Sequence, residues 1–213
     1  MNILLLIPVL VAVGPGFSAL LFVLRARPGY WLDAVLGGAG WLLALTARAT
    51  LLVLARRLSM LAGVLVAALA AGVFEETVRY LVVKHRIGEE RLYKCASIGL
   101  GWGLAEALIV YVLQVPLASS IYGYSWVDLL PGAVERNTAM IFHLSMTLLA
   151  VAAATRNSRI ILAAITMHTL LDMAAGLVAL HISNPWIIEG VIGLLALSLI
   201  VPVVVYTKDV VRR

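Results

Sequence analysis

The sequence predicts an all-α fold, a polytopic transmembrane helical bundle of about seven spans. Three observations carry this reading. Hydrophobic residues make up 63% of the 213 residues, charged residues 13%, and mean hydropathy is +1.05. Soluble domains carry about 25% charged and about 45–50% apolar residues. The apolar residues also fall into seven runs, each near the length of about 20 residues that a bilayer core requires of a helix. Finally, lysines and arginines gather at the ends of these runs, where they meet anionic headgroups. The net charge of +5 and pI near 9.7 therefore indicate a lipid bilayer as partner and not nucleic acid. Cys95 is the single cysteine, which excludes an internal disulfide and a cysteine zinc cluster. Little hydrophilic sequence lies outside the runs, so residues 1–213 are expected to form one integral membrane domain.

The first span runs from about Asn2 to Leu24 and contains Pro8, Gly14 and Pro15, residues that kink helices. It lacks a basic leading region and is too long for a signal peptide, so it reads as a span. The second covers about Trp31–Ala55, with Asp33 and Arg48 placed near its ends and expected to reach the interface. The third covers Leu58–Val83 and the fourth Leu92–Gln114. A long connection follows over 115–133, whose Tyr122, Tyr124 and Trp126 suit an interfacial belt. The fifth to seventh spans cover Val134–Thr155, Ile160–Leu180 and Pro185–Tyr206.

Placing the N-terminus outside puts eleven Lys and Arg residues at cytoplasmic ends and three (Arg56, Arg57 and Arg136) in outer loops. The positive-inside rule favours that orientation, with the C-terminus cytoplasmic. At about 1.5 Å rise per residue, Glu75 and His168 then lie about 13 Å from the cytoplasmic boundary, Glu106 about 18 Å and His143 about 20 Å. Four ionisable groups on four antiparallel helices fall within about 7 Å of one depth. An ionisable side chain at mid-bilayer costs on the order of 3 kcal/mol unless it finds a partner or a water-filled cavity. The polar core is expected over about residues 72–176.

The chemistry available there is specific. In the stretch AGVFEETVRYLVV, Glu75 and Arg79 are i and i+4, while Glu76 points about 100° away. One glutamate can thus be balanced by Arg79 while the other faces a cavity and serves as general base. Gly99, Gly101 and Gly103 leave the fourth span without bulk ahead of Glu106, permitting close helix approach or a cavity. His143 lies alone in the fifth span. His168 and Asp172 are four apart in the sixth, so the carboxylate can hold one imidazole nitrogen and fix its tautomer. Two histidines, a possible third ligand in Glu106 and a separate glutamate base suffice for metal-assisted hydrolysis. The same groups without metal could activate water through Glu75 and stabilise an oxyanion with the histidines. There is no HExxH motif, and the spacing leaves both routes open.

The order EExxR (Glu75-Glu76-Thr77-Val78-Arg79), a glycine-rich helix ending at Glu106, a lone His143 after Val134-Glu135-Arg136, and HxxxD (His168–Asp172) resembles the YhfC-like intramembrane peptidases. These stand with the wider CAAX-protease and bacteriocin-processing group and its PrsW relatives. The resemblance covers about Gly72 to Gly176. It implies an all-helical intramembrane endopeptidase in which a glutamate activates water. Glu75 matches the expected base, with Glu76 and Arg79 beside it; His143, His168 and Asp172 match positions expected to polarise the scissile carbonyl or bind metal. A His₂Glu set of Glu106, His143 and His168 inclines the choice to one divalent metal, with zinc favoured and a metal-free glutamate mechanism as the alternative. The chain departs from the CAAX enzymes in having one residue fewer before Arg79 and Trp102-x-x-x-Glu106 where they have FxxxH. It differs from PrsW in having Arg79 in place of Lys.

The expected function is hydrolysis of a peptide bond in a membrane-embedded or lipidated protein or peptide. The expected setting is a multi-pass position in a prokaryotic plasma membrane. A proton- or cation-coupled transporter is the competing reading, since intramembrane Glu, His and Asp also build relays. A non-catalytic membrane scaffold of the same fold is the third.

Overall fold

In hydrocarbon every backbone N–H and C=O must be satisfied within its own segment, and only helices or closed barrels do this. The structure, a computed structural model describing residues 3–210, answers with helices alone: all regular elements among the described residues are helical. Asn2, where the first span was expected to start, and the basic Arg212 and Arg213 lie outside the described residues.

The helices are α1 (Leu6–Ala26), α2 (Trp31–Ala55), α3 (Met60–Arg86), α4 (Arg91–Glu106), α5 (Gln114–Tyr122), α6 (Leu130–Thr155), α7 (Ile160–His181) and α8 (Pro185–Thr207). Seven segments are long and apolar enough to cross a membrane, as expected; the fourth combines α4 and α5 over Arg91–Tyr122. Local chemistry sets the ends. Ser59 accepts from the Ala62 N–H at the start of α3. Asn184 caps α8 by accepting from the N–H groups of Trp186 and Ile187, with Pro185 in the first turn. Gly123, at φ 71°, ends α5 in the left-handed conformation that glycine adopts without strain. α1 continues as one helix through Pro15.

The expected long connection over 115–133 is corrected. Residues 114–122 are helical, and the link to α6 is only 123–129. Pro116 sits in the first turn of α5, where a missing N–H is tolerated. Between α4 and α5 the chain passes through a π-helical turn, Ala107–Val112, closed by the Leu113 N–H on the Leu108 carbonyl at 3.0 Å.

α6 is the hub. Its apolar stretch is 61% buried, whereas no other span exceeds 33%. α1, α3, α4, α7 and α8 pack against it, while α2 packs closely on α4 and α3, and α3 on α7. Glycine permits these approaches. A Cβ on Gly37 would strike the Ile98 carbonyl, and one on Gly101 would strike the Ala34 carbonyl, so α2 and α4 meet backbone to backbone. Gly99 and Gly103 admit Leu144 and Met140 of α6 in the same way, and Gly72 admits Thr169 of α7. The glycines of α4 thus serve close helix approach. The polar residues expected at one depth are brought together where α3, α4, α6 and α7 face one another.

Candidate active site

Arg79 on α3 organises the site. It is fully buried, and its guanidinium spans three helices. Nε donates to Glu76 Oε2 at 3.0 Å, Nη1 to the His143 carbonyl and Thr147 Oγ1 at 3.2 Å each, and Nη2 to His143 Nδ1 at 3.0 Å. Its face lies 4.1 Å from the Trp102 ring, a cation–π contact strengthened by desolvation. A guanidinium donates in every protonation state it adopts in proteins. His143 Nδ1 therefore accepts, and the neutral ring carries its proton on Nε2. That nitrogen meets Glu106 Oε2 at 2.6 Å.

The adjacent glutamates divide as the helical geometry requires. Glu76 is fully buried; besides Arg79 it takes His168 Nδ1 on Oε1 at 2.6 Å. Glu75 faces the other way. Its Oε1 pairs with Arg48 of α2 at 2.9 Å, its Oε2 accepts from Trp102 Nε1 at 3.2 Å, and Arg79 Nη2 stands 4.0 Å off. Of the two, Glu75 lines the cavity, about 420 Å³, together with Glu106, Glu135, His143, His168 and Asp172.

Two expectations change here. The carboxylate that holds a nitrogen of His168 is Glu76 from α3. Asp172 stands 3.7 Å from Nε2, with its side chain 41% exposed. One turn along the same helix brings the aspartate alongside the ring without aiming it at the ring nitrogen. The second concerns Arg136, which pairs with Glu106 at 2.7 Å and with Glu135 as well. Arg136 was expected in an outer loop and lies within α6.

Arg48 and Asp33 were expected to reach the interface, and both turn inward. Arg48 holds Glu75, and the fully buried Asp33 pairs with Arg86 of α3 at 2.8 Å. Arg48 and Arg136 are thus site residues that sequence reasoning missed. The available signal was their position inside apolar runs, where a cation calls for an anion.

The donor set suits a divalent metal ion. Ligating atoms of Glu75, Glu106 and His143 lie within 4.8 Å of one another. Glu106 and His143 belong to the expected set, whereas the third member of this group is Glu75 and not His168. The ring centroids of His143 and His168 are 5.9 Å apart. Carboxylate oxygen and imidazole nitrogen are donors that zinc accepts. Charge points the same way: three arginines (48, 79 and 136) face five carboxylates (75, 76, 106, 135 and 172), an excess of two negative charges when both imidazoles are neutral. A dication or two protons would balance it, and an unbalanced buried charge is strongly unfavourable.

Comparison with known proteins adds a family match. No curated protein and no solved structure matches the chain. Residues 116–192, from α5 to the first turns of α8, match a family model. The matched stretch holds Glu135, Arg136, His143, His168 and Asp172, while Glu75, Glu76, Arg79 and Glu106 precede it. The family is the one the motifs resemble, and over residues 116–192 the chain carries the signature described as YhfC intramembrane metalloprotease.

Proposed function

We propose that the protein hydrolyses a peptide bond of a membrane-embedded or lipidated protein or peptide, using a water activated by glutamate beside a divalent metal. The observation that most supports this is the convergence of Glu75, Glu106 and His143 on the wall of a cavity inside a bundle of membrane-length helices. The proposed orientation keeps the N-terminus outside and the C-terminus cytoplasmic, in a prokaryotic plasma membrane.

Glu106 and His143 would hold the metal, with His168 as third ligand; His143 would ligate through Nε2 only after the proton that Nε2 shares with Glu106 is released on metal binding. His168 is suited to this because its proton is committed to Glu76 through Nδ1, leaving the Nε2 lone pair free. A carboxylate behind a ligating histidine is the usual means of fixing ring orientation. Zinc, when bound, polarises the scissile carbonyl and lowers the pKa of water.

Glu75 is assigned the general base. Arg48 and Trp102 fix its orientation, and each carboxylate oxygen retains a second lone pair for a water O–H. Its place within 4.8 Å of Glu106 and His143 ligating atoms puts it beside the reacting centre. Arg79 and Glu76 position the two imidazoles. Asp172, exposed to the cavity, is placed to relay the proton to the leaving amine.

Metal content of detergent-purified wild type, His168→Ala and Glu75→Gln, with cleavage of a quenched transmembrane peptide library, tests the assignment. Wild type and Glu75→Gln should carry about one zinc per chain, His168→Ala should lose it, and only wild type should cleave. Loss of metal in Glu75→Gln with retention in His168→Ala would exchange the two roles. A folded, metal-free wild type that cleaves would establish the glutamate mechanism. No cleavage by wild type would favour the transporter, the reading to which the interrupted fourth span lends support.

A further inference from the structure

The cavity has a closed floor and an open mouth. Its wall follows α3 from Val64 to Glu75, α6 from Glu135 to His143 and α7 from Gly176 back to His168. Exposure falls toward the site. On α3, Val64 and Ala67 are half-buried, while Ala71 and Glu75 are each 2% exposed. On α7 the Asp172 side chain is 41% exposed and His168 only 3%. Beyond the site the packing shuts. Val83, Cys95, Ile98, Val151 and Val210 form one apolar cluster, and none of them is more than 2% exposed. Arg91 and Arg156 tie that end together by donating to the carbonyls of Val210 and Tyr206, each at 3.3 Å.

The mouth lies at the opposite end, where the links 56–59, 123–129 and 182–184 turn back. There the cavity runs into a second groove of about 430 Å³, which shares Leu52, Val64 and Ala67 with it and reaches Arg56 and Ser59 at the α2–α3 link. Water must fill the mouth, because its wall carries Glu135, Arg136 and Asp172, and ionisable groups against hydrocarbon are costly. Glu75 is nevertheless nearer the sealed end, about 16 Å along α3 from Arg86 and about 22 Å from Met60. Depth alone would assign the site to the wrong face. Charge says which face is which. Of the eleven basic residues counted at cytoplasmic ends, all but Arg212 and Arg213 are described, and these nine stand at the sealed end. The open end has Arg56 and Arg57, since Arg136 turns into the site. The positive-inside rule then makes the sealed end cytoplasmic.

We propose that the site is served from the outer face alone. Water enters and the polar product leaves through the mouth. The substrate is a membrane segment whose scissile bond enters from the outer leaflet with its hydrophilic flank outside. Hydrolysis adds one water across the amide and yields a carboxylic acid and an amine. At neutral pH these become carboxylate and ammonium by passing one proton between them. Neither charged end can rest in hydrocarbon, and the sealed end offers no aqueous exit among the described residues. The inference rests on the peptidase reading and adds to it the side of the membrane, and with it the class of substrate.

The test labels single cysteines with a small, cationic, membrane-impermeant methanethiosulfonate, in spheroplasts and in inverted membrane vesicles. Thr138→Cys and Ala175→Cys line the cavity on its half-buried wall; the exposed Val127→Cys marks the open end and Ser158→Cys the sealed one. Native Cys95 lies within the seal, so wild type should stay unlabelled in both preparations and serves as the background. Val127→Cys should label in spheroplasts and Ser158→Cys in inverted vesicles, with both cavity cysteines following Val127→Cys. Cavity labelling that follows Ser158→Cys, that occurs from both faces or that fails at both would overturn the proposal. So would labelling of Val127→Cys from the cytoplasmic face. If Thr138→Cys proves unstable, Ala175→Cys decides. A second arm co-expresses a library of single-span segments, tagged at both ends, with wild type or Glu75→Gln. Wild type alone should shed the outer tag into the medium, and release of the cytoplasmic tag into the cytosol instead would overturn the proposal. Labelling is read apart from turnover, so the expected labelling with no tag released refutes the peptidase reading and leaves the outward mouth standing.

Discussion

Replacing Glu76 by glutamine should destabilise the protein far more than replacing Asp172 by asparagine, although both carboxylates flank the same imidazole. Glu76 is fully buried and accepts from two fixed donors, Arg79 Nε at 3.0 Å and His168 Nδ1 at 2.6 Å. Glutamine conserves the volume but has one acceptor oxygen. Turned toward His168, it presents its NH₂ to the guanidinium; turned toward Arg79, it presents the NH₂ to the ring N–H. One donor is orphaned in either case, at about 1–3 kcal/mol. Removing one charge of a buried ion pair raises the total to about 3–5 kcal/mol.

At about 2–4 °C per kcal/mol for a chain of this size, the melting temperature should fall by about 6–20 °C. Asp172 is 3.7 Å from His168 Nε2 and 41% exposed on its side chain, so Asp172→Asn should cost less than about 1 kcal/mol. Thermal unfolding in one detergent, followed by intrinsic fluorescence, measures both. Equal shifts for the two variants, or a shift under about 4 °C for Glu76→Gln, would refute the division of labour between these carboxylates.

Two further outcomes follow from the packing and from the loop before α4. Gly101→Ala should destabilise by about 1–3 kcal/mol, because its Cβ meets a backbone carbonyl that no rotamer change can move; Gly14→Ala, with nothing nearby, should be neutral or stabilising in the same unfolding assay. Glu90 is held below the ordinary carboxylate range by the Tyr30 hydroxyl and by Arg27 at 2.7 Å. A depressed pKa stabilises the fold above the unfolded value and is lost as pH falls through the folded one. Unfolding profiles between neutral pH and about pH 3 should therefore show an acid-side loss in wild type that is smaller in Glu90→Gln.

What could be read from the sequence was depth, and what could not was azimuth. Lys84, Lys94, Arg156 and Arg159 mark a boundary, and counting from it put Glu75, Glu106, His143 and His168 at one level before any packing was known. Which way each side chain faces around its helix depends on neighbours distant in sequence. Arg48 meets Glu75 and Asp33 meets Arg86 across separations that no local pattern encodes. The same limit applied to the paired glutamates: their 100° offset was legible, but not that Glu76 would take His168 while Glu75 lined the cavity.

The π-helical turn after Glu106 has a consequence for how the cavity mouth can change. A helix makes such a turn when it carries one residue more than its register admits. Losing a single residue from 107–112 would restore continuous α-helix, turning all that follows by about 100° and drawing it back by about 1.5 Å. Tyr111, whose hydroxyl donates to the Leu129 carbonyl, and Val110 on the cavity wall would be displaced, while Glu106 and everything before it stayed put. Insertion and deletion, more than substitution, would thus be the economical route by which such a chain diversifies what it admits while its charged interior is inherited unaltered.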